Sequence, residues 1–245
     1  MARKHLVLMT ATITPQANQV NLAITDPAAR LDDYRNALLF YVALLKQQVI
    51  SGIVFVENSG FDLGHLKTLF PDPRIEWLAC ADQPYPSEYH RGYGEFRLID
   101  YAMKNSVSIT SASQQLVIWK VTGRYIVQNF QRVIRFAPRT FDLYCRSSNT
   151  WTEMSLMAWT RTGHEKLLRG AYARFNSGKA PELILAPELT PDRLKDCKFV
   201  REFSWPPVII GRRGTDGGHF NGRFSRWRFR LALLARIISN PFRYL

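Results

Sequence analysis

Four short, nearly unbroken apolar runs mark the first half of the chain: His5–Met9 (HLVLM), Ile53–Val56 (IVFV), Ile75–Cys80 (IEWLAC) and Leu116–Val121 (LVIWKV). Each is brief and bounded by polar turns, which predicts a buried strand rather than a core helix. Between them the spacing changes. Asp26-Pro27 opens a stretch of helical period that runs to about residue 48, and shorter helical stretches follow at about 62–69 and 94–105. Strands alternating with helices predict an α/β domain with a mostly parallel sheet. Strands that are apolar throughout, not at every second position, predict a sheet covered on both faces. Ligands of such sheets sit beyond the C-terminal ends of the strands. The polar loops Thr10–Thr12, Glu57–Gly60, Ala81–Glu95 and Thr122–Tyr125 all fall there. The second half is less regular. Its pattern predicts strands near 141–146 and 183–186 and helices within 151–175, and no segment repeats.

Charge adds a second region. The 245 residues carry a net charge of +13, which calls for an anionic partner. Residues 211–245 hold eight arginines against one acid, Asp216, a net +7. The sequence therefore divides into a domain over 1–210 and a basic segment over 211–245. Gly211–Gly222 reads as a flexible connector. In 223–238, helical spacing gathers Phe224, Trp227, Leu231, Leu234, Ala235 and Ile238 into one apolar stripe. Arg223, Arg226 and Arg230 flank it on one side and Arg228 on the other. Such a C-terminal amphipathic helix lies in a membrane interface, with Arg223, Arg226, Trp227, Arg230, Leu231 and Leu234 as its anchoring residues. No apolar stretch is long enough to span a bilayer, and the basic start followed by LVLM reads as a strand, not a signal peptide. Three scattered cysteines, Cys80, Cys145 and Cys197, fit neither a disulfide framework nor a zinc site. The expected location is cytoplasmic, peripheral on the inner face of the cell membrane.

Three constellations carry candidate chemistry. Lys120-Val121-Thr122-Gly123-Arg124-Tyr125 ends the fourth strand. Alternation places Lys120, Thr122 and Arg124 on one side, and two cations with a hydroxyl suit a diphosphate. His90-Arg91-Gly92-Tyr93-Gly94-Glu95 stands at a loop-to-helix junction, where backbone amides attract anions. Glu57-Asn58-Ser59-Gly60 follows the second strand and suits a base or ribose. Each also has a purely structural reading: a solvated strand end, a first-turn carboxylate facing a helix dipole, and ordinary turn chemistry.

The order of these pieces resembles a GT-A-type glycosyltransferase, and more closely the bacterial polysaccharide-type transferases with a TATI…ENSG…GYGE…KxTGRY pattern. The matching residues are Thr10-Ala11-Thr12-Ile13, Asp26-Pro27 with Arg30 and Tyr34, Glu57-Asn58-Ser59-Gly60, Gly92-Tyr93-Gly94-Glu95 and Lys120 to Tyr125. The resemblance implies a GT-A-like, Rossmann-type sheet and transfer of a sugar from a nucleotide-sugar donor. The acceptor it implies is a lipid-linked glycan of surface polysaccharide or lipopolysaccharide synthesis. It assigns donor binding to Thr10, Ala11, Thr12, Arg30, Glu57, Asn58, Ser59, Gly92, Tyr93, Gly94, Lys120, Thr122, Gly123 and Arg124. Where the GT-A pattern has a metal-binding DxD, this chain has Thr122-Gly123-Arg124. Lys120 and Arg124 are then expected to stabilise the diphosphate directly; no cofactor beyond the donor is required and no bound divalent metal is expected.

An inverting transfer needs a carboxylate base. Glu95, Glu153, Asp142 and Glu188 are the candidates, with Glu95 and Glu153 ranked first. A basic nucleic-acid-binding module shares the charge and the aromatic residues, but it has no need of glycine motifs at strand ends, so no nucleic-acid partner is expected. A non-catalytic membrane-associated scaffold would lack a polar pocket altogether.

The tail generates a first test. The protein is expected to co-sediment with vesicles containing an anionic phospholipid and to be released as salt rises. Glutamates at positions 223, 226 and 230 should abolish the binding. Equal retention on neutral vesicles would remove the electrostatic part of this reading.

Overall fold

Leu6 to Met9 are buried on both sides because β1 (Lys4–Ala11) runs through the middle of a sheet. It pairs in parallel with β2 (Gly52–Glu57) on one side and β4 (Leu116–Thr122) on the other, and β3 (Ile75–Ala79) joins β2, also in parallel. The computed structural model describes residues 3–17, 19, 22–80, 84–113, 115–189 and 194–220. Beyond β4 the sheet continues through β7 (Thr152–Trp159), β6 (Leu143–Ser147) and β8 (Phe199–Val200), so the order is β3-β2-β1-β4-β7-β6-β8. β7 is antiparallel to both β4 and β6, and β8 is parallel to β6. A separate pair is formed by β5 (Ile126–Val127) and β9 (Ile209–Ile210).

Helices cover both faces, as apolar strands require. α1 (Pro27–Lys46) begins where the Asp26 carboxylate accepts hydrogen bonds from the amides of Ala28 and Ala29, with proline at its first position. Tyr34, Ala37, Leu38, Tyr41 and Leu45 form its buried face. The Tyr34 ring meets Phe55 of β2 edge-on, at 5.9 Å between centroids, which fixes α1 on that side of the sheet. α2 (Gly64–Leu69) is a short turn after β2. α3 (Gly92–Asn105) packs on the opposite face, toward Thr10 and Thr122, and α4 (Val107–Thr110) follows it. Downstream come α5 (Phe130–Arg135), α6 (Arg161–Gly163, continuing as a wide turn over His164–Leu168) and α7 (Pro181–Leu185).

The strand–helix alternation expected up to residue 121 is present. Two expectations for the second half are corrected. Residues 152–159 are a strand, not the start of a helix. Glu153, Met154, Leu156, Met157 and Ala158 favour helix locally, but the segment fills the slot between β4 and β6 and is buried along almost its whole length. Residues 181–185 are helical, not a strand. The Leu-Ile-Leu run resembled a strand, yet Pro181 at the first position and Glu182 in the first turn are helix-start chemistry.

Residues 211–220, expected as a connector, lie against the domain. The Ala23 amide donates to the Gly214 carbonyl at 2.9 Å, and the Phe220 ring meets Tyr125 edge-on. The amphipathic helix expected over 223–238 falls outside the described residues. Among those that are described, no helix is long and apolar enough to cross a membrane.

The close approach at Gly163 yields a stability prediction. A β-carbon there would stand 1.8 Å from the carbonyl oxygen of Asp142, a backbone atom that cannot swing aside. Gly163→Ala should cost about 2 kcal/mol or more, read as a lower urea midpoint. An unchanged midpoint would mean that the β6 and α6 ends are not locked together as described.

Candidate active site

Thr10 and Thr122 face each other in register at the C-terminal ends of β1 and β4. Both hydroxyls donate to the same oxygen of Glu95, at 2.9 and 3.2 Å, from strands that the alternation of side chains turns toward α3. Lys120, two residues before Thr122 on the same face, brings its ammonium to 2.7 Å from that oxygen. It also donates to the Met154 carbonyl of β7. The lysine side chain is fully buried. Burial pushes the Glu95 carboxyl up, but the Lys120 charge and the hydrogen bonds from Lys120 and Thr10 outweigh it, so the group is held below the ordinary glutamate value. Glu95 is therefore an ionised, paired carboxylate. Lys120, expected on the diphosphate, stands beneath the site as its counter-ion.

Above this pair opens a cleft in two parts. The narrower, about 70 Å³, lies among Thr10, Thr12, Arg30, Tyr34 and Tyr85. The wider, about 340 Å³, lies among Tyr125, Trp151, Glu153, Glu182 and Arg213. Arg91, Glu95, Thr122 and Arg124 line both. The Arg124 side chain is 4% exposed, and its Nε has no hydrogen-bond partner. Arg30 is buried alongside, its guanidinium pushed down from the ordinary value first by burial and further by the charges of Arg124 and Arg91. Three guanidiniums thus crowd a cleft whose central carboxylate is already neutralised. Their negative neighbours besides Glu95 include Glu153 and Glu182 in the wider chamber and Asp33, 3.7 Å from Arg124. His90, beside it, is pushed down to about 4 by burial and the charge of Arg91, so it is neutral, and its Nδ1 accepts from the Gly92 amide at 3.1 Å.

The motif residues divide between lining and bracing. Thr10, Ala11, Thr12, Arg30, Gly92, Thr122 and Arg124 border the cleft. Glu57, Asn58 and Ser59 brace its first loop. The Glu57 carboxylate accepts from the Ile13 amide at 3.0 Å and from the backbone amide and hydroxyl of Ser59. Asn58 accepts from the Thr12 hydroxyl at 2.7 Å. Arg30 donates to the carbonyls of Thr12 (2.7 Å) and Ile24 (3.0 Å), so part of its hydrogen-bonding capacity is spent on that loop. Gly123 serves packing: a β-carbon there would lie 2.5 Å from the Thr10 carbonyl. Gly92 and Gly94 likewise admit Pro181 and Tyr85, and the Tyr93 ring packs tilted against Tyr85 and edge-on against Tyr89 and Tyr172.

Of the other carboxylates, Glu153 borders the wide chamber and accepts from the amide and hydroxyl of Ser155. Asp142 is at the opposite end of the sheet, where it holds the Thr160 hydroxyl and the Lys198 amide. Glu188 pairs with Arg174, away from the cleft. Among the charged residues of the cleft, Glu182 and Arg213 were not picked out from the sequence, and Arg91 was named only within the His90–Glu95 constellation. Arg91 had a local signal, as a cation directly before the Gly92 helix start. Glu182 and Arg213 reach the site only through tertiary folding. Burial pushes the Glu182 carboxyl up; Arg91 opposes this and Glu95 and Glu153 add to it.

Neither a family model nor a curated protein matches the sequence. Among solved structures, a putative nucleotide-diphospho-sugar transferase from Desulfovibrio desulfuricans G20 is similar at 10% identity and a TM-score of 0.50, over 81% of this chain and 79% of that one. A 4-diphosphocytidyl-2C-methyl-D-erythritol synthase aligns at 10% identity and a TM-score of 0.48, over 95% and 99%. The first likeness is one of fold, a mostly parallel, Rossmann-like sheet covered by helices.

The buried pair gives a pH-dependent prediction. Glu95→Gln leaves Lys120 enclosed without a counter-charge and should cost about 3 kcal/mol at neutral pH. The carboxyl lies below its ordinary value, so the stability it contributes is present above about 4.3 and fades as pH falls further. Urea unfolding should show a gap between wild type and Glu95→Gln that narrows on the acid side. A gap independent of pH would contradict the pairing.

Proposed function

We propose that this protein transfers a sugar from a nucleotide-diphosphate donor to a lipid-linked glycan at the cytoplasmic face of a membrane. The observation that carries the reading is the convergence of Arg91 and Arg124, with Arg30 behind them, on a cleft at the ends of β1 and β4 whose central carboxylate is paired with Lys120. A nucleoside diphosphate leaving group needs its negative charge stabilised as the sugar bond breaks. Two guanidiniums deliver that in a fixed, bidentate-capable geometry, without a metal ion. The cleft occupies the position where sheets of this kind bind ligands, and the fold likeness to a nucleotide-diphospho-sugar transferase supports the donor class.

The wider chamber suits the acceptor. If the anomeric centre is inverted, a carboxylate must take the acceptor's proton, and one with raised proton affinity and no ion-pair partner suits that role. Glu182, whose proton affinity is raised by burial, meets that need better than Glu95, whose carboxylate is tied to Lys120; Glu153 lines the same chamber. The arginine-flanked stripe of 223–238 would hold the enzyme where a lipid-linked acceptor is presented.

Thermal-shift measurements against a panel of sugar nucleotides, with and without EDTA, test the donor reading. One of them should raise the melting temperature in both conditions. Arg124→Ala and Arg91→Ala should each lower turnover by about 100-fold or more while keeping the wild-type circular dichroism spectrum. Indifference to every sugar nucleotide would sink the reading, loss of the shift in EDTA would remove the metal-independent part, and full activity of Arg124→Ala would remove the diphosphate role of that residue.

A further inference from the structure

The stretch from β9 to Phe220 crosses directly above the cleft. Gly214 comes so close to both cleft arginines that a β-carbon on it would stand 3.0 Å from Arg124 Nη2 and 3.5 Å from Arg91 Cζ. Arg213, Thr215 and Phe220 form part of the wide chamber's wall. Arg212, in the same stretch, faces away toward α1. Its Nε lies 3.2 and 3.1 Å from the two oxygens of Asp33, and its Nη2 lies 2.9 Å from Oδ2 and 2.8 Å from the Ala29 carbonyl.

Arg124 approaches the same Asp33 oxygen but stops at 3.7 Å. Among the described residues its other polar contact, Nη1 to the Arg212 carbonyl, is a long 3.4 Å, and its Nε has no hydrogen-bond partner. One carboxylate thus stands between two guanidiniums, and every short contact it makes goes to Arg212. This matters because a carboxylate and a phosphate compete for the same fork of donors. Were Asp33 released, it could close the remaining distance and form a bidentate pair with Arg124. A diphosphate would then have to displace it.

We propose that Arg212 is a positioning residue, which by engaging Asp33 withholds that carboxylate from Arg124 and leaves the Arg124 guanidinium available to the diphosphate of the donor. The inference rests on the reading of the cleft as a diphosphate site. It makes donor affinity depend on the seating of residues 209–220, the segment that leads into the arginine-rich tail.

Isothermal titration calorimetry with inorganic pyrophosphate, and with whichever sugar nucleotide stabilises the wild type, tests it on the full chain. Arg212→Ala should weaken both ligands by at least about tenfold. Asp33→Asn alone should bind at least as tightly as wild type. Adding Asp33→Asn to Arg212→Ala should restore affinity to within about threefold of wild type, because the competing carboxylate is gone. A residue that merely pinned the segment in place would give the opposite pattern: Asp33→Asn would weaken binding and the double variant would not recover. That pattern, in a wild type that binds, overturns the inference and leaves the donor reading standing. A wild type that binds neither pyrophosphate nor any sugar nucleotide overturns the donor reading and this inference with it.

Discussion

The contact between Lys120 and Glu95 ties together more of this molecule than any other single interaction described. It joins β4 to α3, takes in the Thr10 hydroxyl of β1 and reaches the Met154 carbonyl of β7. Burying two charges is expensive, and their attraction repays the cost only when the remaining donors and acceptors are also satisfied. Here two threonine hydroxyls and a backbone carbonyl do that. An apolar replacement could be equally stable. What the pair supplies is position, since it meets those partners in only one alignment of α3 over the strand ends. It also removes the negative charge that would otherwise oppose an anion in the cleft above.

That arrangement changes the meaning of the motifs. The residues in them are mostly builders of the cleft, and fewer of them face its interior. Glu57, Asn58 and Ser59 hold the loop after β1 by accepting from the Ile13 amide, the Thr12 hydroxyl and the Thr14 amide. Gly123 lets β4 leave the sheet across the end of β1. Arg30 fastens the same loop from α1 while contributing its charge. Arg124, whose Nε has no hydrogen-bond partner, sits just past Gly123 at the exit of β4.

The parallel half of the fold was legible because each strand there is an apolar run closed by a polar turn, a local signal. β7 was not, since Glu153, Met154, Leu156 and Ala158 suit a helix and only the gap between β4 and β6 makes them a strand. Thr10, Thr122, Glu95 and Arg124 could be nominated from their places at strand and helix ends. That Lys120 would be consumed by Glu95 depends on the packing angle of α3, which no spacing in the sequence encodes. Glu182 and Arg213 enter the cleft from 57 and 88 residues beyond Tyr125, the last residue of the motifs, brought by α7 and by the return of β9 to β5.

That return has a consequence for how the protein is made. Ile126 meets Ile210, and Val127 meets Ile209, so the β5–β9 pair cannot form until residue 210 has been synthesised. Contacts this distant in sequence form late, after the more local parts of the sheet. A nascent chain would therefore carry the Lys120–Glu95 scaffold long before it had a closed cleft. The roof would arrive just ahead of the arginine-rich segment over 223–238, so every residue that lines the chamber would be made before that segment.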